Sequence, residues 1–171
     1  MTSEMASTPA ADQAAEMPAF MVPGWSARLG EHTFSADEII AFAGAFDPQP
    51  FHLDAEAAKS SLFGGLCASG WHTVSVWMRK QRDYMLGYLA ERRKNGLPMA
   101  EFGPSPGFEN LKWLKPVYAG DTIAYFNATT ACRESKSKPG WYILSAASKG
   151  ENQHGETVLT FESAVLLKFP A

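Results

Sequence analysis

Apolar residues along this chain change their spacing near residue 107, from mostly helical before it to mostly alternating after it. Residues 28–33 alternate as a short strand, and Ser35 with Glu38 three positions on frames a helix start, with Ile39, Ile40, Phe42 and Ala43 as its buried face. This helix must stop before Pro48, because a residue preceding proline is pushed out of helical geometry. Residues 46–52, with Pro48 and Pro50, read as a rigid loop that cannot be helix. A short helix over 54–59, acidic in its first turn, and a loop over 60–66 with Gly64 and Gly65 follow. From 68 to 93 there is no proline, and Trp71, Val74, Trp77, Met78, Met85, Leu86 and Leu89 recur at helical spacing. That predicts one long helix, apolar on more than one side and therefore centrally buried. Gly96 suits its C-cap, and Pro98 prevents its continuation.

Segments 107–117, 121–132, 140–149 and 156–169 are rich in aromatic and β-branched residues and are separated by turn signals. With 28–33 as a fifth strand they predict an α+β fold, an antiparallel sheet on which the long helix lies. In the last strand Leu159, Phe161, Ser163, Val165 and Leu167 form the expected core face, with Val158, Thr160 and Glu162 on the wetter one. The stretch 79–106 is longer than a helix-to-strand connection requires. Its Gly and Pro breaks predict a lid or substrate-facing loop.

The length of 171 residues suits one domain, and 46% hydrophobic content supports its core. Residues 1–19 read as a disordered lead with neither the basic start nor the apolar run of a secretion signal, leaving 20–171 as the domain. A formal charge of −3 argues against nucleic acid as a partner, and no window reaches the ~20 apolar residues of a membrane span. Cys67 and Cys132 have no zinc-like spacing and fit a reducing cytoplasm, so no metal site is expected.

The candidate chemistry lies in the proline-bracketed loop. Asp47 alone reads as a turn-forming acid before proline, and His52 alone as a packed histidine. Together on one rigid segment they form an acid/base pair able to hold a water and move its protons. Ser69 reads as a helix cap, since no nucleophile elbow surrounds it, and His72 as a core histidine or an alternative acid. Arg133, Lys136 and Lys138 read as a solvated turn or as a phosphate contact.

The order of these blocks resembles the hotdog fold. Within it, Phe46-Asp47-Pro48-Gln49-Pro50-Phe51-His52-Leu53-Asp54 and Phe63-Gly64-Gly65-Leu66-Cys67-Ala68-Ser69-Gly70-Trp71-His72-Thr73 resemble the MaoC-like acyl dehydratases and (R)-specific enoyl-CoA hydratases. Leu114-Lys115-Pro116-Val117-Tyr118-Ala119-Gly120-Asp121 is similar to a later block of that family, and the resemblance spans roughly residues 20–169. It implies Asp47 and His52 as catalytic groups and the Gly70 N–H as oxyanion donor. Gln49 stands where many members have Asn; Gln49, Ser69, Gly65 and Lys136 are the expected substrate-binding residues. The implied reaction adds water reversibly to a trans-2-enoyl thioester, without metal or redox cofactor and with coenzyme A as the carrier of the substrate. A homodimer is implied too, which the apolar breadth of residues 68–85 independently favours. The alternatives are a hotdog acyl-CoA thioesterase and a non-catalytic acyl-thioester-binding subunit.

Overall fold

The long helix runs over Gly70–Lys94 (α4), and a six-stranded antiparallel sheet curls against it in the hotdog arrangement. The computed structural model describes residues 17–170. Strand β1 (Ser26–Thr33) leads through α1 (Ala36–Phe46), α2 (Pro50–Leu53) and α3 (Ala55–Lys59) into α4. Then come β2 (Glu101–Phe102), β3 (Gly107–Trp113), β4 (Thr122–Glu134), β5 (Trp141–Glu151) and β6 (Thr157–Lys168). The sheet runs β1-β4-β5-β6, and the far edge of β6 pairs with β3 along Leu159–Ala164 and with β2 at Leu167 and Lys168.

Local chemistry explains the element ends. The Ser35 hydroxyl accepts from the Glu38 N–H at 3.3 Å, while Glu38 turns to His32 Nε2 at 2.5 Å instead of closing a reciprocal capping box. Gly96, with φ of 67°, ends α4, as its N–H reaches Arg93 O at 3.1 Å and the Leu97 N–H reaches Arg92 O at 3.0 Å. Both bonds satisfy carbonyls that the helix end would orphan. Tyr125, fully buried on β4, donates its hydroxyl to Thr73 O at 3.0 Å and so ties the first turns of α4 to the sheet.

Several expectations need correction. Pro50 begins the one-turn helix α2 and places His52 inside it, since proline at a first helical position sacrifices only an N–H that would be unpaired anyway. Ile40 is exposed, and Ile39 and Ala43 carry the buried face of α1. Val158 is 1% exposed, because the Leu114 and Lys115 N–H groups both bond its carbonyl and strap the chain over the start of β6. The 79–106 stretch is no free loop but α4 as far as Lys94 and then a segment docked on the sheet, with the Gly103 N–H on Leu166 O at 2.8 Å, and Gln81, Phe102 and Gly103 from it line a cavity there. Met17–Ala19, assigned to the lead, belong to the fold: Pro18 is buried and the Ala19 N–H donates to Tyr88 Oη at 2.9 Å. Residues 1–16 of that lead lie outside the described residues.

Core packing falls into two clusters on one helix. Leu29, Phe34, Ile39, Ile123, Tyr125 and Leu159 gather with Trp77, whereas Phe20, Met21, Leu144, Leu167 and Phe169 gather with Met85. In the first cluster, Gly150 lets β5 meet its neighbours closely: a Cβ there would lie 3.0 Å from Ile123 Cγ2 and 3.1 Å from Leu159 Cδ2. Gly150→Val is expected to overpack this point and destabilise the fold by ~1–3 kcal/mol. Denaturant unfolding of the two proteins checks this, and equal midpoints would count against it.

Candidate active site

Asp47 and His52 come together where α1 ends and α2 begins. The Asp47 N–H caps α1 on Ala43 O at 2.9 Å, the Gln49 N–H returns to Asp47 O at 2.7 Å, and the His52 N–H bonds Gln49 O at 2.9 Å. This folded loop brings His52 Nε2 to 3.6 Å from Asp47 Oδ2, with side chains 8% and 27% exposed. The gap is too long for a good direct hydrogen bond, and one water oxygen can bridge it.

The other ring nitrogen of His52 fixes the proton assignment. Nδ1 lies 2.6 Å from Cys67 O, and a carbonyl can only accept, so Nδ1 carries hydrogen. Proton exchange at His52 therefore runs through Nε2, on the side of Asp47. The Cys67 thiol is no rival nucleophile, because burial pushes it up to about 11.

Helix α4 supplies the third component. Ser69 is 1% exposed and its hydroxyl does two jobs, donating to Asp47 Oδ2 at 2.7 Å and accepting from the Trp71 N–H at 3.3 Å. The Gly70 N–H, at the positive end of α4, has no partner among the described residues. Such a group stabilises negative charge developing on a bound oxygen. Glycine is needed here on steric grounds as well: a Cβ on Gly70 would sit 2.4 Å from Trp113 Cε2. Asp47, His52, Cys67, Gly70, Thr73 and Trp113 line a single cleft of about 410 Å³.

Other expected site residues fall elsewhere. The Ser69 hydroxyl is occupied by Asp47 and the cap. Gln49 is exposed and its side chain makes no hydrogen bond among the described residues; its backbone alone serves the loop. Gly65 packs against the Tyr118 ring, 3.5 Å from a would-be Cβ, outside the cleft lining. Lys136 sits in the β4–β5 turn at the other end of the sheet: Val158 of β6 lines the cleft, whereas Lys168 of β6 pairs with Trp141 beside that turn. Ten residues of strand separate those ends, ~33 Å. The basic side chain that does line the cleft is Lys115, ion-paired with Glu156 at 2.5 Å. Trp113 and Lys115 escaped the sequence reading because nothing local marks a strand-end residue as facing a helix that starts some forty positions earlier.

A match to the family model described as "MaoC like domain" covers residues 23–140, and the chain belongs to that family. A MaoC-like dehydratase from Rhodospirillum rubrum is similar in sequence and structure, with 35% identity, 88% of this chain and 94% of that one covered, and a TM-score of 0.70. An (R)-hydratase from A. caviae involved in PHA biosynthesis shares the fold at 24% identity and a TM-score of 0.59, over 87% of this chain and 97% of that one. The uncharacterized protein YdeM of Bacillus subtilis (strain 168) is 28% identical over 138 residues, 78% of this chain and 86% of that protein.

His72, two residues beyond Gly70, is buried but not satisfied. Its ring is stacked on Phe42 at 4.5 Å and edge-on to Phe34 at 5.0 Å, and Nδ1 has no hydrogen-bond partner among the described residues. Burial lowers its pKa from the ordinary imidazole value, against the field of Glu38, which raises it, while His32 adds to the lowering. The unfolded chain then binds the proton more readily, so stability contributed by the neutral ring is present above about pH 6.5 and is lost as pH falls below it. His72→Phe is expected to flatten the loss of stability between pH 7 and pH 5. Denaturant midpoints across that range test this, and parallel curves would assign the acid sensitivity elsewhere.

Proposed function

We propose that the protein is a reversible hydratase of trans-2-enoyl-CoA, forming (R)-3-hydroxyacyl-CoA through Asp47, His52 and the Gly70 N–H. The observation that carries this reading is the convergence of His52 Nε2, Asp47 and an unpartnered helix N–H on one cleft. Family membership and the similarity to a MaoC-like dehydratase support it.

In this mechanism the Asp47/His52 pair carries one proton between its members and grips the water. One member takes a proton from that water as its oxygen bonds to Cβ. The electron pair of the double bond shifts toward the thioester oxygen, and the Gly70 N–H stabilises the charge there, worth ~3 kcal/mol in the barrier. The other member delivers its proton to Cα. A proton passing back across the pair resets it, so the net change is one water added. Dehydration retraces the same steps. All of the exchange at His52 uses Nε2, since Cys67 O holds the opposite N–H.

Asp47→Asn and His52→Ala are each expected to lower kcat/KM for crotonyl-CoA hydration by ~10²–10⁴-fold. Circular dichroism should stay unchanged. Near-normal turnover in either variant would overturn the assignment, and thiol release from saturated acyl-CoA would point to a thioesterase.

We also infer a homodimer built on α4. Trp71 is 50% exposed, Met78 57% and Leu86 50%, and they share one stripe of the helix beside Phe108, itself 51% exposed. A row of large apolar side chains facing water is the mark of a covered surface. The cytoplasm suits the two free cysteines, Cys67 and Cys132. Light scattering is expected to give twice the chain mass, reduced by Met78→Glu; an active monomer would refute the dimer.

A further inference from the structure

Between the two core clusters the inner face of the sheet is unusually small and polar. Asn127 pairs with Ser148, and Ser148 with Phe161; on the next rung Thr129 pairs with Ala146, and Ala146 with Ser163. Asn127, Thr129, Ala146 and Ser148 are all under 9% exposed, at positions where a sheet facing a helix ordinarily carries large apolar side chains. These short residues leave the space between sheet and α4 unfilled. The result is a cavity of about 450 Å³, covered by Val74, Trp77, Gln81 and Met85, with the exposed Met78 at its open edge. That volume falls in the range of small-molecule pockets, ~300–1,000 Å³.

Hydrogen-bonding capacity in this cavity is left unused. Asn127 Nδ2 reaches Gln81 Oε1 only at 3.5 Å, while its Oδ1 accepts from Ser148 Oγ at 3.0 Å. Among the described residues the Gln81 amide nitrogen and the Ser163 hydroxyl have no partner, and both residues line the cavity, with the exposed Arg82 beside them at its edge. An aromatic series links it to the catalytic cleft: Trp113 meets Trp71 at 5.3 Å, Trp71 meets Phe108 at 6.4 Å, and Phe108 meets Phe161 at 6.4 Å. An acyl chain can lie along these faces.

We propose that this cavity receives the distal part of the acyl group and selects one bearing an oxygen function, recognised by Gln81, Asn127 and Ser163. The proposal rests on the hydratase reading for the thioester end and adds the chemistry of the other end. Distance sets the length. From Gly70 to Gln81 the helix rises ~16 Å, which an extended chain spans in about a dozen bonds. The oxygen therefore sits near the ω end of a medium-length acyl chain. A hydroxyl and a carboxylate share the acceptor that these donors need, and Arg82 at the cavity is the group that tells them apart.

The test compares hydration of trans-2-dodecenoyl-CoA with its ω-hydroxy and ω-carboxy counterparts, with crotonyl-CoA as a chain too short to reach. Wild-type protein is expected to favour an oxygenated chain by roughly tenfold in kcat/KM. Gln81→Leu and Ser163→Ala should each reduce that preference to about twofold or less while crotonyl-CoA turnover stays unchanged. Arg82→Gln separates the sources: loss of the ω-carboxy preference alone identifies a carboxylate, and no change identifies the hydroxyl. Equal rates for plain and oxygenated chains, or a preference that survives both Gln81→Leu and Ser163→Ala, would overturn the proposal. If crotonyl-CoA itself is not hydrated, the hydratase reading fails separately. Calorimetric affinities of saturated dodecanoyl-CoA and its ω-hydroxy form then decide the cavity on the same criteria.

Discussion

One hydroxyl joins the two halves of the candidate site. Ser69 Oγ donates to Asp47 Oδ2 and at the same time caps the first turn of α4. The carboxylate that faces His52 and the helix that offers the Gly70 N–H are thereby held at a fixed offset, which catalytic geometry demands to within fractions of an ångström. Most of the surrounding structure serves that offset. Tyr125 pins the helix turn from the sheet, Trp113 presses on the Cα of Gly70, and Cys67 O holds the His52 ring from behind.

The fold and the approach of His52 to Asp47 were legible because they are written locally. Cap residues, proline positions and apolar spacing located α1, α3 and α4 and the four long strands within a few residues. Asp47 and His52 meet for the same reason, since their geometry is made within six residues of chain. Where the sequence misled, tertiary packing was the cause. Pro50 looked like a helix breaker and is a helix starter, because only the following residues decide which role proline takes. Ser69 looked like a cap and is also a tether, and its second partner lies twenty-two residues away.

Gln49, Gly65 and Lys136 lie outside the cleft lining for a different reason. Gln49 was expected from its place in the family motif and Lys136 from its charge, and neither reports direction. Gln49 neighbours Asp47 yet extends to solvent, and Lys136 carries the right charge at the wrong end of a long strand. The small, polar belt at Asn127, Thr129, Ser148 and Ser163 was present in the alternation of β4, β5 and β6, but only strand register brings these residues side by side.

The pairing of β1 with β4 also bears on how the chain acquires its site. Thr33 and Thr122 are register partners, and every residue from Asp47 to Gly70 lies in the long excursion between them. Closing such a separation is slow relative to forming helices, because ordering the intervening chain precedes any reward from the contact. During synthesis from the N-terminus, the helices can emerge while β4 is still unmade. The wall of the cleft made by Trp113, Lys115 and Val158 is therefore a late product of folding, added to Asp47 and His52, whose own contacts lie in the first half of the chain.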